Sequence, residues 1–377
     1  MALIEDILLQ LTRCALWDIS PELDTPLDSE SWTELYFQAR KQTVQGIVYD
    51  AVCRLPDDML PPDHLLGKWM NEVLSIEGNY RLHVRSLAWV SGRLETESTL
   101  KPIVLKGLPL AALYPIPCHR VSGDIDLFYG SRSAVATADH QVESWGIPVS
   151  RGLQYESAYC VGEVTIEHHG LLVNSHVPWR KRRLTEWLEQ RLSETDSTCP
   201  ATIEDVPIRL LSPELDLLQL SSHALKHALN EGIGVRQLCD IALFVARHRD
   251  SLPKNRVKPL LQRFGMLRWT ELCLSYCVTH LGLKADQLPY PIHINTSMVE
   301  SMHREVLQSG NFGYLDNRYH PEGASSQKAT VKRITHNVWR YFRVAPLESL
   351  CWSLGLVAVR TKEWFQSIGI GKKTNMP

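Results

Sequence analysis

Several features that would place this sequence in a familiar class of protein are missing. Its nine cysteines form no C-x-x-C pair, which argues against a disulfide framework or a zinc ribbon. The longest late apolar stretch, Ser349 to Val359, has 11 uncharged residues, whereas a membrane span needs about 20. The N-terminus carries Glu5 and Asp6 where a signal peptide requires basic residues. We therefore expect a soluble, cytoplasmic protein with reduced thiols and no transmembrane segment.

A strong overall charge is also absent, although the charge is unevenly distributed. The net charge of −2 at pH 7 indicates neither a polyanionic nor a polycationic partner. From Lys328 to Pro377, however, nine basic side chains oppose only two acidic ones, and aromatic residues are interspersed among them. This mixture suits binding to RNA or to an anionic surface. Amphipathic helices packed on the body, with their cations extended into solvent, would give the same pattern.

The spacing of apolar residues divides the chain into four parts. Helical spacing predicts a helical cap over 1–100, with helices near 3–11, 31–55 and 63–97. Residues 101–211 contain the candidate strands 102–105, 124–129, 155–161, 164–168 and 206–211, with helices at 108–114 and 133–145. Residues 212–327 form a helical domain that begins at Ser212-Pro213-Glu214 and breaks at Gly232-Ile-Gly234, with further helices at 254–281 and 295–308. Residues 328–377 form a basic, aromatic-rich helical tail.

The sharpest local pattern is Gly123-Asp-Ile-Asp-Leu127. On a strand, Asp124 and Asp126 point to the same face, with side chains about 6–7 Å apart. Two carboxylates on one face are costly unless a cation lies between them. Mg²⁺ is the natural candidate because it prefers oxygen ligands and shares its shell with phosphates. An exposed edge strand whose acids face water is the plainer alternative.

Three neighbouring features favour the metal hypothesis. Lys106-Gly107 follows an apolar strand, and this pair can supply a charge and a close backbone approach to phosphate. Arg120 and Ser122 lie just before the two acids, where triphosphate oxygens would lie. Glu167 lies on a later apolar strand and can supply a third carboxylate if that strand pairs beside the first.

These residues resemble the uncharacterised nucleotidyltransferase-like family of the DNA polymerase β-type nucleotidyltransferase superfamily. The strings that carry the resemblance are Val104-Leu-Lys-Gly107, Leu110-Ala-Ala-Leu113-Tyr-Pro115, Arg120, Asp124-Ile-Asp-Leu127 and Ile166-Glu-His168, followed by His223, His227, Gly232-Ile-Gly234, Arg236-Gln-Leu238 and Asp240. The sequence has Lys106-Gly107 where the superfamily commonly has Gly-Ser, and Glu167 where an aspartate is commoner.

The resemblance implies an α+β fold, in which a small mixed sheet is flanked by helices. It also implies a nucleoside triphosphate substrate and two Mg²⁺ ions, which Mn²⁺ can replace. Asp124, Asp126 and Glu167 would be the catalytic and metal-binding residues. Lys106, Gly107, Arg120 and Ser122 would bind the nucleotide.

Histidines and an arginine further along the chain complete the set of candidate residues. His169 should face the same side of its strand as Glu167, and His168 the opposite side. His223 and His227 share one helix face, without the glutamate that a zincin places after the first histidine. We expect His169, His223, His227 and Arg236 to line the cleft. The spacing of Arg236 and Asp240 predicts an ion pair within one helix.

The leading functional hypothesis is a Mg²⁺-dependent nucleotidyltransferase that moves a nucleoside monophosphate to an unknown acceptor. One alternative is a toxin-like or modifying enzyme that nucleotidylates RNA or protein. A second is a nucleotide-binding interaction module without catalysis, although the three acids argue against such a loss. A structural helical adaptor would leave the polar face of the acidic strand unexplained.

Overall fold

The computed structural model describes residues 2–152, 156–173, 175–194, 196–313, 316, 318 and 326–355. The N-terminal part is helical, with α1 (Ala2–Leu16), α2 (Ser29–Lys41), α3 (Gln45–Val52) and α4 (Asp63–Glu97). Asp28 caps α2 by accepting a hydrogen bond of 2.8 Å from the Ser31 amide. The prediction of one helix over 31–55 is wrong, because Thr43 adopts a φ of +58° and turns the chain between α2 and α3.

A five-stranded mixed sheet follows the helical cap. Its strands are β1 (Ile103–Leu105), β2 (Asp124–Phe128), β3 (Ser150–Arg151), β4 (Glu156–Val161) and β5 (Val164–His169), in the order β1-β2-β5-β4-β3. β2 and β5 are parallel, and the other neighbours are antiparallel. A hairpin turn joins β4 to β5, the counterparts of the strands predicted at 155–161 and 164–168, with a φ of +61° at Gly162. This sheet and its flanking helices confirm the α+β prediction.

Further elements lie between the strands of this sheet or between the sheet and the second helical region. They are α5 (Leu108–Ala111), α6 (Arg132–Ser144), α7 (Pro178–Leu192) and a separate hairpin of β6 (Thr198–Ile203) and β7 (Val206–Leu211). Ser131 caps α6 by accepting a hydrogen bond from the Ala134 amide. The sequence patterns predict α5, α6 and β7, whereas α7, β6 and the two-residue β3 have no predicted counterpart.

The remaining described chain is mostly helical. It contains α8 (Pro213–Asn230), α9 (Val235–Arg247), α10 (Lys254–Arg263), α11 (Leu267–His280), α12 (Thr296–Ser309) and α13 (Ser326–Tyr341), and residues 346–355 are also helical. Pro213 occupies the first turn of α8, where its missing N–H costs nothing. The helix predicted over 254–281 is interrupted at Gly265, which has a φ of +70°.

Two apolar clusters hold these layers together. One lies between the sheet, α4 and the β6–β7 hairpin, and includes Leu87, Leu127, Ile166 and Ile208. The other joins the N-terminal helices to α8–α13, and its largest buried members include Trp32, Trp69, Trp269 and Tyr341. Because the helices before and after the sheet share this second cluster, α8 and α9 are held over the sheet face that carries the acids.

The basic tail is only partly described. Ile334, Val338 and Tyr341 of α13 are buried against the body, whereas Trp339 is 72% exposed. Lys362, Trp364 and Phe365 lie outside the described residues, so binding of the tail to RNA or to an anionic surface stays a prediction. Within the described ranges, no helix combines the length and the apolar character that a bilayer crossing requires.

Candidate active site

Two neighbouring strands bring the acidic residues together. β2 and β5 run parallel, with Asp126 opposite Glu167 and Asp124 opposite Thr165. Since side chains alternate along a strand, Asp124, Asp126 and Glu167 share one face of the sheet. The opposite face carries Ile125, Leu127 and Ile166, which are buried in the apolar cluster beneath the sheet.

Two cations contact the buried carboxylate of Asp126. Lys106 Nζ lies 2.9 Å from Asp126 Oδ1 and 3.9 Å from Asp124 Oδ2. His169 Nε2 lies 2.7 Å from Asp126 Oδ1 and 3.3 Å from Glu167 Oε2. Asp126 Oδ2 is also buried but has no hydrogen-bond partner. Lys106 and His169 therefore offset part of the negative charge of the three acids, while one oxygen of Asp126 has no partner.

The local charges set the protonation of these groups. Burial would raise the pKa of Asp126, but Lys106 and His169 outweigh burial and lower that pKa to about 2. Burial would lower the pKa of His169, yet hydrogen bonding to Asp126 and Glu167 raises it to about 9. Burial, followed by the charge of Asp126, raises the pKa of Asp124. At neutral pH the site thus holds an ionised Asp126 against a protonated His169.

A cavity of about 910 Å³ opens above this face of the sheet. It is lined by all of the predicted site residues except Asp126 and Ser122, namely Lys106, Gly107, Arg120, Asp124, Glu167, His169, His223, His227 and Arg236. Asp126 is fully buried beneath the cavity surface, and Ser122 is 4% exposed. The sheet supplies the acids and the first cations, and the helices α8 and α9 supply the opposite wall.

The loop between β1 and α5 brings Lys106 and Gly107 close to the acids. Both residues adopt a positive φ, of +30° and +52° respectively. A Cβ atom at Gly107 would lie 3.2 Å from the Asp124 carbonyl oxygen. A glycine at this position therefore allows the loop to pass close to the start of β2.

Arg120 is held in a buried ion pair. Its Nε and Nη2 atoms each donate a hydrogen bond of 2.7 Å to a different oxygen of Asp240, and the Tyr114 hydroxyl donates a third of 2.7 Å. The predicted pair between Arg236 and Asp240 is thus wrong, because Asp240 is bound by Arg120 instead. This network fixes the loop that leads into β2 against α9.

Arg236 presents its charge to the cavity from the first turn of α9. Its Nη1 donates a hydrogen bond of 2.6 Å to the Val121 carbonyl, and its Nε is buried without a partner. The guanidinium lies 5.7 Å from the centre of the Phe312 ring. Burial and the neighbouring Arg120 lower the pKa of Arg236 to about 10. A cation in this environment would be stabilised by an anion in the cavity.

His223 and His227 form a neutral pair on α8. Their Nε2 atoms are 3.0 Å apart, so one ring donates a hydrogen bond and the other accepts it. Burial and the nearby Lys106 lower the pKa of His223 well below its usual value, and burial lowers that of His227. On the sheet, His169 faces the acids while His168 is buried on the other side against Asp139, as strand alternation predicts.

Other residues that line the cavity are not among those predicted from the sequence. Lys226 lies between the two histidines on α8, and its spacing could have identified it. Asn311, Phe312 and Arg333 also line the cavity, but no local pattern links them to the sheet. Arg333 belongs to α13, so the described beginning of the basic tail reaches the candidate site.

One group here has the geometry to bind a metal ion. Ligand atoms of Asp126, Glu167 and His169 all lie within 4.8 Å of one another. Asp124 lies beside this group, since Lys106 contacts it together with Asp126. The donors are mainly carboxylate oxygens, which Mg²⁺ and Mn²⁺ favour.

Two comparisons, with protein families and with solved structures, relate the chain to known proteins. The sequence model of a family described as uncharacterised nucleotidyltransferase matches residues 28–282, from the start of α2 to the end of α11. Among solved structures, the chain is similar to an antigenic nucleotidyltransferase-like protein from Paracoccidioides brasiliensis, with 15% sequence identity and a TM-score of 0.34. That similarity covers 53% of this chain and 92% of the other. No curated protein matches.

Proposed function

Because the chain belongs to the uncharacterised nucleotidyltransferase family, we propose that it transfers a nucleoside monophosphate from a nucleoside triphosphate to an acceptor hydroxyl. The observation that carries this proposal is the pairing of Asp126 with Glu167 on adjacent parallel strands, beside Asp124 and beneath a cavity lined with cations. The reaction needs both kinds of charge that this cavity contains, since carboxylates can bind a divalent ion and cationic side chains can bind phosphates.

The residues present fit a Mg²⁺ ion. Asp126 has a buried oxygen without a partner, and the carboxylates of Asp124 and Glu167 lie on the same face. These three residues would hold the metal, with Mn²⁺ as an alternative. When bound, the metal would neutralise charge on the phosphate oxygens and favour ionisation of the acceptor hydroxyl.

Lys106 would have two roles in this proposal. Without a nucleotide, its ammonium group is the counter-ion of Asp126, at 2.9 Å. A triphosphate in the cavity offers more negative charge, and a lysine side chain has a flexible four-carbon stem. Lys106 would therefore turn from the acids to the phosphate oxygens, while Gly107 keeps the backbone of this loop close to them.

The opposite wall would bind the rest of the triphosphate. Arg236 has an unpartnered buried Nε, and Lys226 and Arg333 line the same cavity. Arg120 would act mainly by positioning β2, because Asp240 already binds the Nε–Nη2 edge of its guanidinium. The neutral His223–His227 pair would provide a polar surface for the acceptor without repelling a bound cation.

The transfer can be tested with nucleoside triphosphates that carry the label at different phosphates. We would incubate the full chain with Mg²⁺, cell extract and each nucleotide, labelled at either the α- or the γ-phosphate, and separate the labelled products. A nucleotidyltransferase passes the α-label to the acceptor and releases the γ-label in pyrophosphate. A reaction without extract tests for self-labelling.

Matched variants would assign the activity to this site. Glu167→Gln should reduce α-label transfer by about two orders of magnitude or more. Glu163→Gln is the control, because Glu163 is exposed in the turn that leads into the same strand. Equal transfer by the two variants, or transfer of the γ-label instead, would refute the proposal.

A further inference from the structure

A second cluster of metal-binding side chains lies outside the cavity. Glu77 of α4 meets Cys118 and His119, which lie in the short helical turn at 117–119. One ligand atom from each residue lies within 4.8 Å of those of the other two. None of the three lines the cavity above the sheet.

The donors of this cluster differ from those of the sheet cluster. A thiol, an imidazole and a carboxylate are the ligands that Zn²⁺ favours, whereas Mg²⁺ has little affinity for sulfur. Tetrahedral zinc, with bonds of about 2.0–2.3 Å, separates its ligand atoms by roughly 3.3–3.8 Å. His119 Nε2 and Glu77 Oε1 are 3.1 Å apart, so a small outward movement would admit the ion.

Two further contacts orient the ligands. The Nδ1 atom of His119 is bound to Asp50, which leaves Nε2 directed at the cluster. In zinc sites, the ring nitrogen of a histidine that does not bind the metal commonly donates a hydrogen bond to a carboxylate. Arg81 contacts Glu77 Oε2 at 3.3 Å, which leaves Oε1 for the metal.

We propose that Glu77, Cys118 and His119 bind one Zn²⁺ ion, with Asp50 orienting the histidine. A thiolate and a carboxylate neutralise the two charges of the ion, and water takes the fourth position. The side chains of His119 and Glu77 are 12% and 23% exposed, so the site is sheltered but open to an ion from solution.

The zinc ion, together with Asp50, would link three segments of the chain. Asp50 lies in α3, Glu77 in α4, and His119 five residues before Asp124, the first residue of β2. The segments are already closely packed, because a Cβ atom at Gly46 would lie only 2.2 Å from the His119 carbonyl oxygen. Bound between these segments, the ion would stabilise the loop that leads into β2, the strand that carries Asp124 and Asp126.

Cobalt and zinc titrations of the full chain test this proposal. After removal of metals with a chelator, Co²⁺ should produce a thiolate-to-cobalt charge-transfer band. The sheet cluster cannot produce that band, since it contains no cysteine. Zinc should remain bound at one equivalent after desalting and raise the melting temperature by a few degrees.

Cys118→Ser should abolish the band, whereas Cys160→Ser should retain it, because Cys160 is an exposed cysteine on β4. Asp50→Asn should keep the band but weaken zinc binding about 10–100-fold. The site does not exist if the wild-type chain gives no band or if Cys118→Ser gives an unchanged one. Zinc that is lost only in Glu167→Gln would equally overturn the proposal.

Discussion

Replacing His169 with glutamine should remove a specific pH dependence of stability. In the folded chain the pKa of His169 is raised from 6.5 to about 9, since hydrogen bonding to Asp126 and Glu167 outweighs its burial. A group whose pKa rises on folding stabilises the protein fully below its unfolded pKa and loses that effect as the pH rises through its folded pKa. The stabilisation by His169 is therefore complete below 6.5 and disappears through pH 9.

The shift of the histidine sets the size of this effect. A rise of about 2.5 pKa units corresponds to about 3 kcal/mol. The lowering of the Asp126 pKa from 3.8 to about 2 corresponds to about 2 kcal/mol. Both shifts describe the same ion pair, so its free energy is counted once. The free energy derived from His169 is the larger of the two, because the imidazolium also faces Glu167 at 3.3 Å.

Urea denaturation at about pH 6 and about pH 9.5 measures this difference. The wild-type chain should lose about 3 kcal/mol more of its unfolding free energy than His169→Gln over that interval. The control is His140→Gln, since the His140 side chain is 77% exposed, and it should behave like the wild type. The reasoning is refuted if His169→Gln shows the same pH dependence as the wild-type chain.

Three further substitutions test separate parts of the site. Arg120→Met leaves Asp240 buried without its cation and should lower the unfolding free energy by about 3–5 kcal/mol in urea; a loss below about 1 kcal/mol would contradict the ion-pair network. Gly107→Ala should lower the unfolding free energy by about 1–2 kcal/mol, because residue 107 has a φ of +52°. Gly123→Ala should lower it by less, because a Cβ atom at residue 123 would lie in open space. Lys106→Met should tighten Mg²⁺ binding and weaken nucleoside triphosphate binding, each by at least about tenfold in calorimetric titrations. If both affinities change in the same direction, Lys106 does not move from the acids to the phosphates as proposed.

Local patterns were sufficient for the elements that carry the acids. The apolar run before Lys106 and the alternation after Asp124 predict β1 and β2, and the turn at Gly162 predicts the β4–β5 hairpin. Alternation also assigns His168 and His169 to opposite faces. These predictions succeed because the direction of a side chain on a strand depends only on its neighbours in sequence.

The elements and contacts that were missed depend on distant parts of the chain. β6 contains Pro200 and has no alternating pattern, and it is stabilised by pairing with β7. In α7, Leu184 and Leu188 are the only buried aliphatic side chains among many charged ones, so its apolar stripe is narrow. The Arg120–Asp240 pair joins residues 120 positions apart, and helical spacing alone favoured the nearer Arg236.

Because β5 carries two adjacent histidines, which of them faces the acids depends on whether the length of the β4–β5 hairpin changes by an odd or an even number of residues. A slip of β5 by one residue exchanges every side chain between the two faces of the sheet. His168 would then approach Asp126, while Glu167 would enter the apolar layer where Ile166 now packs. A two-residue change in the hairpin keeps the faces, whereas a one-residue change does not. Related sequences should therefore vary this hairpin in steps of two.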